Sequence, residues 1–191
     1  QSVVNGMSPS GRNSAFANSG LVTEVRLEDF AHLREEWGEL AGLRYQQMFE
    51  ELARQHSGDK QVAPAQRVSD FVYGRESRSL PKTSYIPGLT PSRLDIWMPE
   101  EIGARLRSGI ATFGKKMRGF VTDEAIVVGV ESRTSTPVRI PRDPETLMHT
   151  EVEGLFPAGE GAGYAGGIVS AALDGERIAD AVARYCKVHN Y

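Results

Sequence analysis

The sequence predicts a mixed fold of the α+β or α/β class, and three patterns of apolar residues support this. Residues 125–130 (AIVVGV) form a continuous apolar run of strand length, which is typical of a strand buried on both faces. Ile102, Leu106 and Ile110 follow at four-residue spacing, which predicts a helix. Residues 168–186 repeat a helical spacing near the C-terminus. A strand signal and two helix signals in one chain indicate helices packed against a sheet.

Local signals add shorter elements. Strands are expected at residues 21–26, 136–140 and 153–157, where residues typical of strands cluster. Asp29 is a suitable N-cap for a helix over residues 29–40, which Gly38 would interrupt. Residues 1–20 are small and polar and are expected to form a long loop.

Further helices are expected where apolar residues follow a capping signal. One covers residues 45–58, another residues 68–73, and Thr90 with Pro91 and later Pro99 are interpreted as helix starts. Gly114 suits a helix C-terminus. On the last helix we expect an apolar stripe that includes Gly175, whereas Asp174 and Glu176 are expected to face solvent.

Composition limits the classes of function. The net charge of -3 gives no electrostatic reason to expect binding to nucleic acid. No apolar run approaches the roughly 18 residues that cross a membrane. A single cysteine excludes an internal disulfide and fits a reducing compartment, so a cytoplasmic location is expected. The four histidines lack metal-ligand spacing, and no metal site is predicted.

Residues 159–167 (GEGAGYAGG) hold five glycines in nine residues, between an expected strand and the last helix. This order brings backbone N–H groups and a helix N-terminus close to phosphate or another electron-rich group. Residues 161–166 match the GxGxxG pattern. A dinucleotide fingerprint also needs a second strand and an acidic residue about 20 positions later, and neither follows. The motif is therefore a chance match or a different nucleotide contact, and Glu160 could accept hydrogen bonds from sugar or ribityl hydroxyls.

Residues 131–143 (ESRTSTPVRIPRD) place three arginines and four hydroxyl side chains after the apolar run. Arginine binds carboxylates and phosphates through two parallel hydrogen bonds, so the segment is a candidate anion or cofactor-edge site. A solvated loop whose arginines pair with Asp143 and Glu145 is equally compatible with the composition.

Several strings together resemble the C-terminal half of the uncharacterised FAD-dependent dehydrogenases, within the glutathione-reductase-like class of two-domain flavoproteins. The resemblance covers nearly the whole chain and is strongest from Ala63 onward. The matching strings are residues 13–20 (NSAFANSG), 63–71 (APAQRVSDF), 79–85 (SLPKTSY), 129–139 (GVESRTSTPVR) and 154–167 (GLFPAGEGAGYAGG).

The resemblance implies a partial FAD-binding domain with a mainly helical cap domain inserted into it. Residues 1–26 and 121–191 would form the returning part of the FAD domain, and residues 27–120 would form the cap or substrate domain. The implied cofactor-binding residues are Gly159, Glu160, Gly161, Ala162, Gly163, Tyr164, Ala165, Gly166 and Gly167. A possible flavin or substrate edge is implied at Ser132, Arg133, Thr134, Ser135 and Arg139.

The resemblance further implies that the chain is a fragment, with the N-terminal half of the same protein as its partner. That half would carry the site for the FAD pyrophosphate, so we expect this chain alone to be inactive and free of FAD. A near-stoichiometric flavin absorbance band in the purified chain would contradict this. NAD(P)H is a possible electron donor, and neither a substrate nor a catalytic residue can be named. The alternative is a non-enzymatic interaction domain that uses the aromatic residues of the helical segment.

Overall fold

The computed structural model describes residues 3–4, 11, 13–58 and 61–189. The chain divides into two compact units. The first contains Tyr45–Ser132 and the chain up to His32, and the second contains Leu33–Arg44 and the chain from Arg133 onward. Of the loop predicted for residues 1–20, residues 1–2, 5–10 and 12 lie outside the described residues. Residues 13–20 have no regular secondary structure.

The first unit is built on a mixed sheet of short strands. Strand β1 (Ala63–Arg67) lies between β2 (Leu89–Pro91) and β3 (Ile126–Val128) among the described residues. It runs parallel to β2, with Ala63 opposite Leu89, and antiparallel to β3, with Ala65 opposite Val128. Four of its five residues are buried, which makes β1 the centre of the unit.

A buried amide ties β1 to the helices beside it. Gln66 is fully buried, and its Nε2 donates to the carbonyl of Arg75 at 2.8 Å and to Oδ1 of Asp95 at 2.7 Å. The Asp95 N–H donates back to Gln66 Oε1 at 3.2 Å. Arg93 holds the same carboxylate through Nε and Nη2. A buried polar side chain is tolerated here because its hydrogen bonds are made.

Helices α3 (Val68–Tyr73), α4 (Leu94–Trp97) and α5 (Glu100–Lys116) pack on one another around the hydrophobic core of this unit. Phe71 and Leu94 are completely buried there, and Trp97 is nearly so. The core residues are Ala53, Val68, Phe71, Leu94, Trp97, Met98, Ile110 and Val130. Helix α2 (Ala41–Gln55) contributes Ala53 to it.

The segment before α2 consists of short turns of helix. A 3-10 helix covers Leu27–Leu33, α1 covers Arg34–Trp37, and a second 3-10 turn covers Gly38–Leu40. The predicted break at Gly38 is confirmed, because this residue has a φ of 50°. Asp29 does not stand at the N-cap as predicted. It lies inside the first turn and accepts the Arg26 N–H at 2.8 Å, as the acidic residue of a capping box does.

The second unit contains the long helix α6 (Ile168–His189), the irregular segment between residues 133 and 167, and residues 33–44, which end in the first turn of α2. The α6 face that is buried carries Asp174, Ile178 and Ala181. This face is rotated from the predicted stripe. Gly175 is exposed, and a Cβ added to it would meet no atom within 4 Å, so this glycine does not serve close packing.

Three predicted strands are wrong. Residues 21–26, 136–140 and 153–157 pair with no strand in the described part of the chain. In the first, Val22 is 72% exposed, so no sheet face covers it. The second contains Pro137, which has no N–H to donate to a ladder. In the third, Gly154 has a φ of 75°, which turns the chain.

The strand predicted in residues 125–130 exists, but it is shorter and only half-buried, so burial on both faces is wrong. Strands β1 and β2 were not predicted. Pro91 lies in β2 and does not start a helix; α4 begins at Leu94. Pro99 is the N-cap of α5 and precedes its first residue, and Gly114 lies inside α5, not at its end.

The helices expected over residues 68–73 and from residue 168 onward are confirmed, and so is one over residues 45–55. Residue 59, near which that helix was expected to end, lies outside the described residues. The fold is α+β. Of the helices that the structure describes, none combines the length and apolar character needed to cross a membrane. The division into an FAD-domain portion and a cap remains a prediction.

Candidate functional site

The glycine-rich turn and the arginine-containing segment, both singled out in the sequence, lie against each other in the second unit. The Ile140 N–H donates to the Ala162 carbonyl at 3.1 Å. The Tyr164 hydroxyl donates to the Ile140 carbonyl at 3.0 Å. These two bonds hold the two segments side by side without forming a regular strand pair.

Gly163 is the point of closest approach between the two segments. Its φ is 85°, in the left-handed region that glycine adopts without steric cost. A Cβ at this position would lie 2.8 Å from the Val138 carbonyl oxygen and 3.0 Å from the Arg139 Cα. Both neighbours are backbone atoms that cannot move aside. The turn therefore requires glycine here for both conformation and space.

An open cavity of about 320 Å³ lies where the two segments meet. One side is formed by Ser135 and Thr136, and the other by Gly163, Tyr164, Ala165 and Gly166. The turn residues are followed directly in the sequence by α6, which begins two residues after Gly166. The cavity lies entirely within the second unit.

The turn offers hydrogen-bond donors that the protein itself does not use. Within the described part of the chain, the N–H groups of Ala165 and Gly166 find no acceptor. The Glu160 carbonyl accepts the Gly163 N–H at 2.9 Å. The side chain of Glu160 is half-buried and makes no hydrogen bond to a described residue. The N–H groups of Glu160, Gly161 and Ala162 also donate to no described residue, but of these five unused donors only those of Ala165 and Gly166 belong to residues that line the cavity.

A buried ion pair contacts the chain where the turn begins. Arg142 and Asp174 have side chains that are 9% and 8% exposed. Arg142 Nη2 donates to Asp174 Oδ1 at 2.6 Å and Nη1 to Oδ2 at 3.0 Å. Nη1 also donates to the Pro157 carbonyl at 2.7 Å, and Asp174 Oδ2 accepts the Gly159 N–H at 2.8 Å. Asp174 is buried, so its predicted exposure to solvent is wrong.

Two guanidinium groups contact the ring of Tyr164, which lines the cavity. The Cζ atoms of Arg142 and Arg139 lie 3.5 and 4.4 Å from the ring centroid. Asp174 neutralises Arg142, whereas the exposed Arg139 has no carboxylate partner among the described residues. Arg139 therefore leaves a positive charge close to the cavity.

Of the nine turn residues predicted to bind a cofactor, Gly163, Tyr164, Ala165 and Gly166 line the cavity, whereas Glu160 does not. The structure brings several of the five predicted edge residues to the turn. Ser135 lines the cavity, the Thr134 carbonyl approaches Gly166, and Arg139 contacts Tyr164. Arg133 is exposed. Ser132 belongs to the first unit, where its hydroxyl donates to the fully buried Glu50 at 2.8 Å and its carbonyl accepts from Gln46 at 2.7 Å.

Sequence reasoning missed the partners of this site. Arg142 was considered as a possible partner of Asp143 and Glu145, yet it pairs with Asp174, 32 residues away. Thr136 was not among the five residues singled out, although it lines the cavity. A usable signal existed for Asp174, because it is aligned with Ile178 and Ala181 on one face of the helix.

We expect the ion pair to make the second unit sensitive to acid. The hydrogen bonds from Arg142 lower the pKa of Asp174 below its ordinary 3.8 against the opposing effect of burial, and the Gly159 N–H adds to this. A lowered pKa means that the stabilisation is present above pH 3.8 and is lost as the pH falls through the lower value of the folded state. Asp174→Asn should therefore cost about 2 kcal/mol of unfolding free energy at pH 7.

Urea denaturation of the wild type and Asp174→Asn between pH 7 and pH 2 measures this difference. It should shrink as the pH falls below 3.8, where the Asp174 carboxylate of the unfolded chain takes up a proton before that of the folded protein does. Asp180→Asn, an exposed position on the same helix, is the matched control and should have no effect at either pH. A wild-type–variant difference that stays constant down to pH 2 would contradict the role of the charge.

No group of three or more His, Cys, Asp or Glu side chains is arranged to hold a metal ion in the ranges that the structure describes.

Comparison with known proteins agrees with a flavoprotein family. The family described as FAD-dependent protein, C-terminal domain-like matches residues 1–134. An uncharacterised protein of Clostridium beijerinckii (strain ATCC 51743 / NCIMB 8052) is 41% identical over 180 residues. That alignment covers 93% of this chain, so it passes through the glycine-rich turn, but only 33% of the relative. The chain thus spans about a third of that relative's length, and it belongs to the family of FAD-dependent protein, C-terminal domain-like sequences.

Proposed function

We propose that this chain is part of an FAD-dependent oxidoreductase of the dehydrogenase type and forms the flavin-side wall of its FAD site. Residues 27–120 would serve as the cap domain. The observation that carries the proposal is the cavity between Ser135 and Thr136 on one side and the glycine-rich turn on the other, because two of its lining residues, Ala165 and Gly166, have N–H groups that donate to no described residue. Membership of an FAD-dependent family supports the choice of cofactor.

The residues present fit a flavin. The pyrimidine edge of a flavin carries two carbonyl oxygens, which the N–H groups of Ala165 and Gly166 could satisfy. Gly163 keeps the wall free of a side chain where the two segments meet. The carboxylate of Glu160 is available to accept hydrogen bonds from the ribityl hydroxyls. The flavin, when bound, supplies the hydride-transfer chemistry.

The residues of this chain would orient the cofactor and favour negative charge on it. The N-terminal end of α6 carries a partial positive charge that acts on groups within its first turn. Arg139 adds a full positive charge near the same cavity. Placed in advance, such charges stabilise an anion without reorganisation. Arg133 and Arg139 are also the proposed contacts for an anionic substrate, and no acid or base is assigned.

The remainder of the site would be supplied by another part of the complete protein, which includes the pyrophosphate-binding half. The relative's greater length supports this. So does the start of α6, where Ile168, Val169 and Leu173 are 91%, 72% and 53% exposed. Apolar side chains adjoining one another at a helix start are unusual on a surface that faces only water. NAD(P)H remains the proposed electron donor.

Replacing Glu160 by alanine in the complete protein tests the assignment. Loss of a charged acceptor for ribityl hydroxyls should weaken FAD binding about 10- to 100-fold. Titration of the apoprotein with FAD, followed by quenching of flavin fluorescence, gives the dissociation constant. Glu176→Ala removes an exposed carboxylate from α6 and is the matched control. Equal FAD affinity in the Glu160 variant and the wild type would refute the role of Glu160.

No contact among the described residues favours the non-enzymatic alternative. The aromatic residues on which it depends are mostly internal, since Tyr45 and Trp97 are 8% and 9% exposed. Trp37 is 39% exposed, but Arg44 stacks on its ring. These aromatic residues therefore act mainly in packing, which gives the alternative less support than the FAD site has.

A further inference from the structure

We propose that Arg142 and Asp174 are positioning residues, which set the conformation of the turn 159–167 and thereby the strength and electronic character of cofactor binding. This inference rests on the proposed function. Neither residue lines the cavity. Both would act through Gly159 and Tyr164, with which they are in direct contact.

The pair connects three parts of the second unit. Arg142 lies at the end of the arginine-containing segment, and Asp174 lies in the second turn of α6. Between them they hold the Pro157 carbonyl and the Gly159 N–H, which begin the turn. The segment, the turn and the helix are therefore fixed to one another through a single pair of side chains.

The effect extends along the turn to the cavity. The Gly159 carbonyl accepts the Tyr164 N–H at 3.0 Å, so fixing Gly159 also fixes the backbone of Tyr164. The Arg142 guanidinium covers the ring of Tyr164 at 3.5 Å. Ala165 and Gly166, whose N–H groups face no acceptor in the described part of the chain, follow directly in the sequence. The positions of the Ala165 and Gly166 N–H groups thus depend on the Arg142–Asp174 ion pair.

Stability alone is a weak reason for such a pair. Removing two charges from water is costly, and a buried ion pair is often no more stabilising than apolar residues of similar volume. What the charged pair provides is a fixed geometry between the elements that it joins. A guanidinium fork aligned with a carboxylate defines distances and angles, which apolar contacts between the same elements do not.

The test uses the complete protein, with FAD as the probe. Asp174→Asn retains the size of the side chain, but it cannot accept from both Arg142 and Gly159 as the carboxylate does. We expect the FAD dissociation constant to rise about tenfold. We also expect the reduction potential of the bound flavin to change, because the donors that face it are no longer held. Asp180→Asn on the same helix should change neither quantity.

Saturation with FAD separates positioning from a purely structural role. A structural role would lower the urea midpoint but leave the potential of the FAD-saturated variant equal to that of the wild type. Equal potential and equal affinity in Asp174→Asn would overturn the inference. Should that variant not fold, Arg142→Lys provides the same test, since lysine keeps the charge but lacks the fork that reaches Asp174 and Pro157 together.

Failure of the inference and failure of the proposed function give different results. If the wild-type complete protein binds no FAD, or if Glu160→Ala binds it as tightly as the wild type, the proposed cofactor site is wrong, and the inference fails with it. If Glu160→Ala weakens binding while Asp174→Asn and Arg142→Lys leave affinity and potential unchanged, only the positioning role is wrong.

Discussion

Phe71→Ala is expected to lower the free energy of unfolding by about 4 kcal/mol, the largest single effect among the changes considered. Phe71 is completely buried in the core of the first unit, where Leu94, Trp97 and Ile110 belong to the same cluster. Removing the ring loses its transfer free energy and leaves a cavity that these neighbours fill only in part.

Urea denaturation monitored by tryptophan fluorescence measures this loss, because Trp97 lies in the same core. Tyr73→Ala is the matched control: it removes an aromatic side chain from the same helix at a position that is 67% exposed. Its effect should stay below about 1 kcal/mol. Similar losses for both variants would show that Phe71 does not support the core as the structure indicates.

Gly163→Ala is expected to destabilise the second unit by about 3 kcal/mol. Alanine would be strained at a φ of 85°, and its Cβ would overlap the Val138 carbonyl and the Arg139 backbone. The two segments that line the cavity would have to separate. In the complete protein, FAD affinity should therefore fall as well, even though no polar group has been removed.

Gly161→Ala is the matched control, two residues away in the same turn. A Cβ at that position meets no atom within 4 Å. Its stability should remain within about 1 kcal/mol of the wild type. Urea denaturation followed by far-ultraviolet circular dichroism compares the two variants. If they unfold at the same midpoint, the close approach at Gly163 is not a constraint on the turn.

Helices α5 and α6 could be predicted from apolar residues at helical spacing. Helix α5 buries Ile102 and Ile110 of the predicted face, whereas α6 buries a face rotated from the predicted stripe. Helix α3 begins and ends where predicted, and α6 begins at Ile168 as expected. Strand β1 was missed because alanine, proline and glutamine are poor indicators of a strand. Its burial depends on Gln66 finding partners at Arg75 and Asp95, contacts that arise only in the folded protein.

Most residues of the candidate site could be predicted from the sequence, but the ion pair that holds the turn in place could not. The density of glycines indicated a backbone-lined turn, and Gly163 shows why glycine is needed there. Short-range patterns could not show that Arg142 and Asp174 meet, because the partners are far apart in sequence. The expectation of strands beside the turn failed for a related reason: single hydrogen bonds, such as that from Ile140 to Ala162, hold these segments in place of a ladder.

Apart from Tyr164, the residues of the wall at 163–166 are glycine or alanine and offer mostly main-chain atoms, and this affects how the site could be redesigned. Peptide N–H groups are the same for every residue except proline, so exchanging Ala165 for another small residue would leave its N–H donor unchanged, whereas Gly163 has no space for a side chain. Side chains on the opposing segment, among them Ser135 and Thr136, are the parts that substitution can alter. Efforts to change ligand preference should therefore randomise residues 134–139 and leave the turn intact.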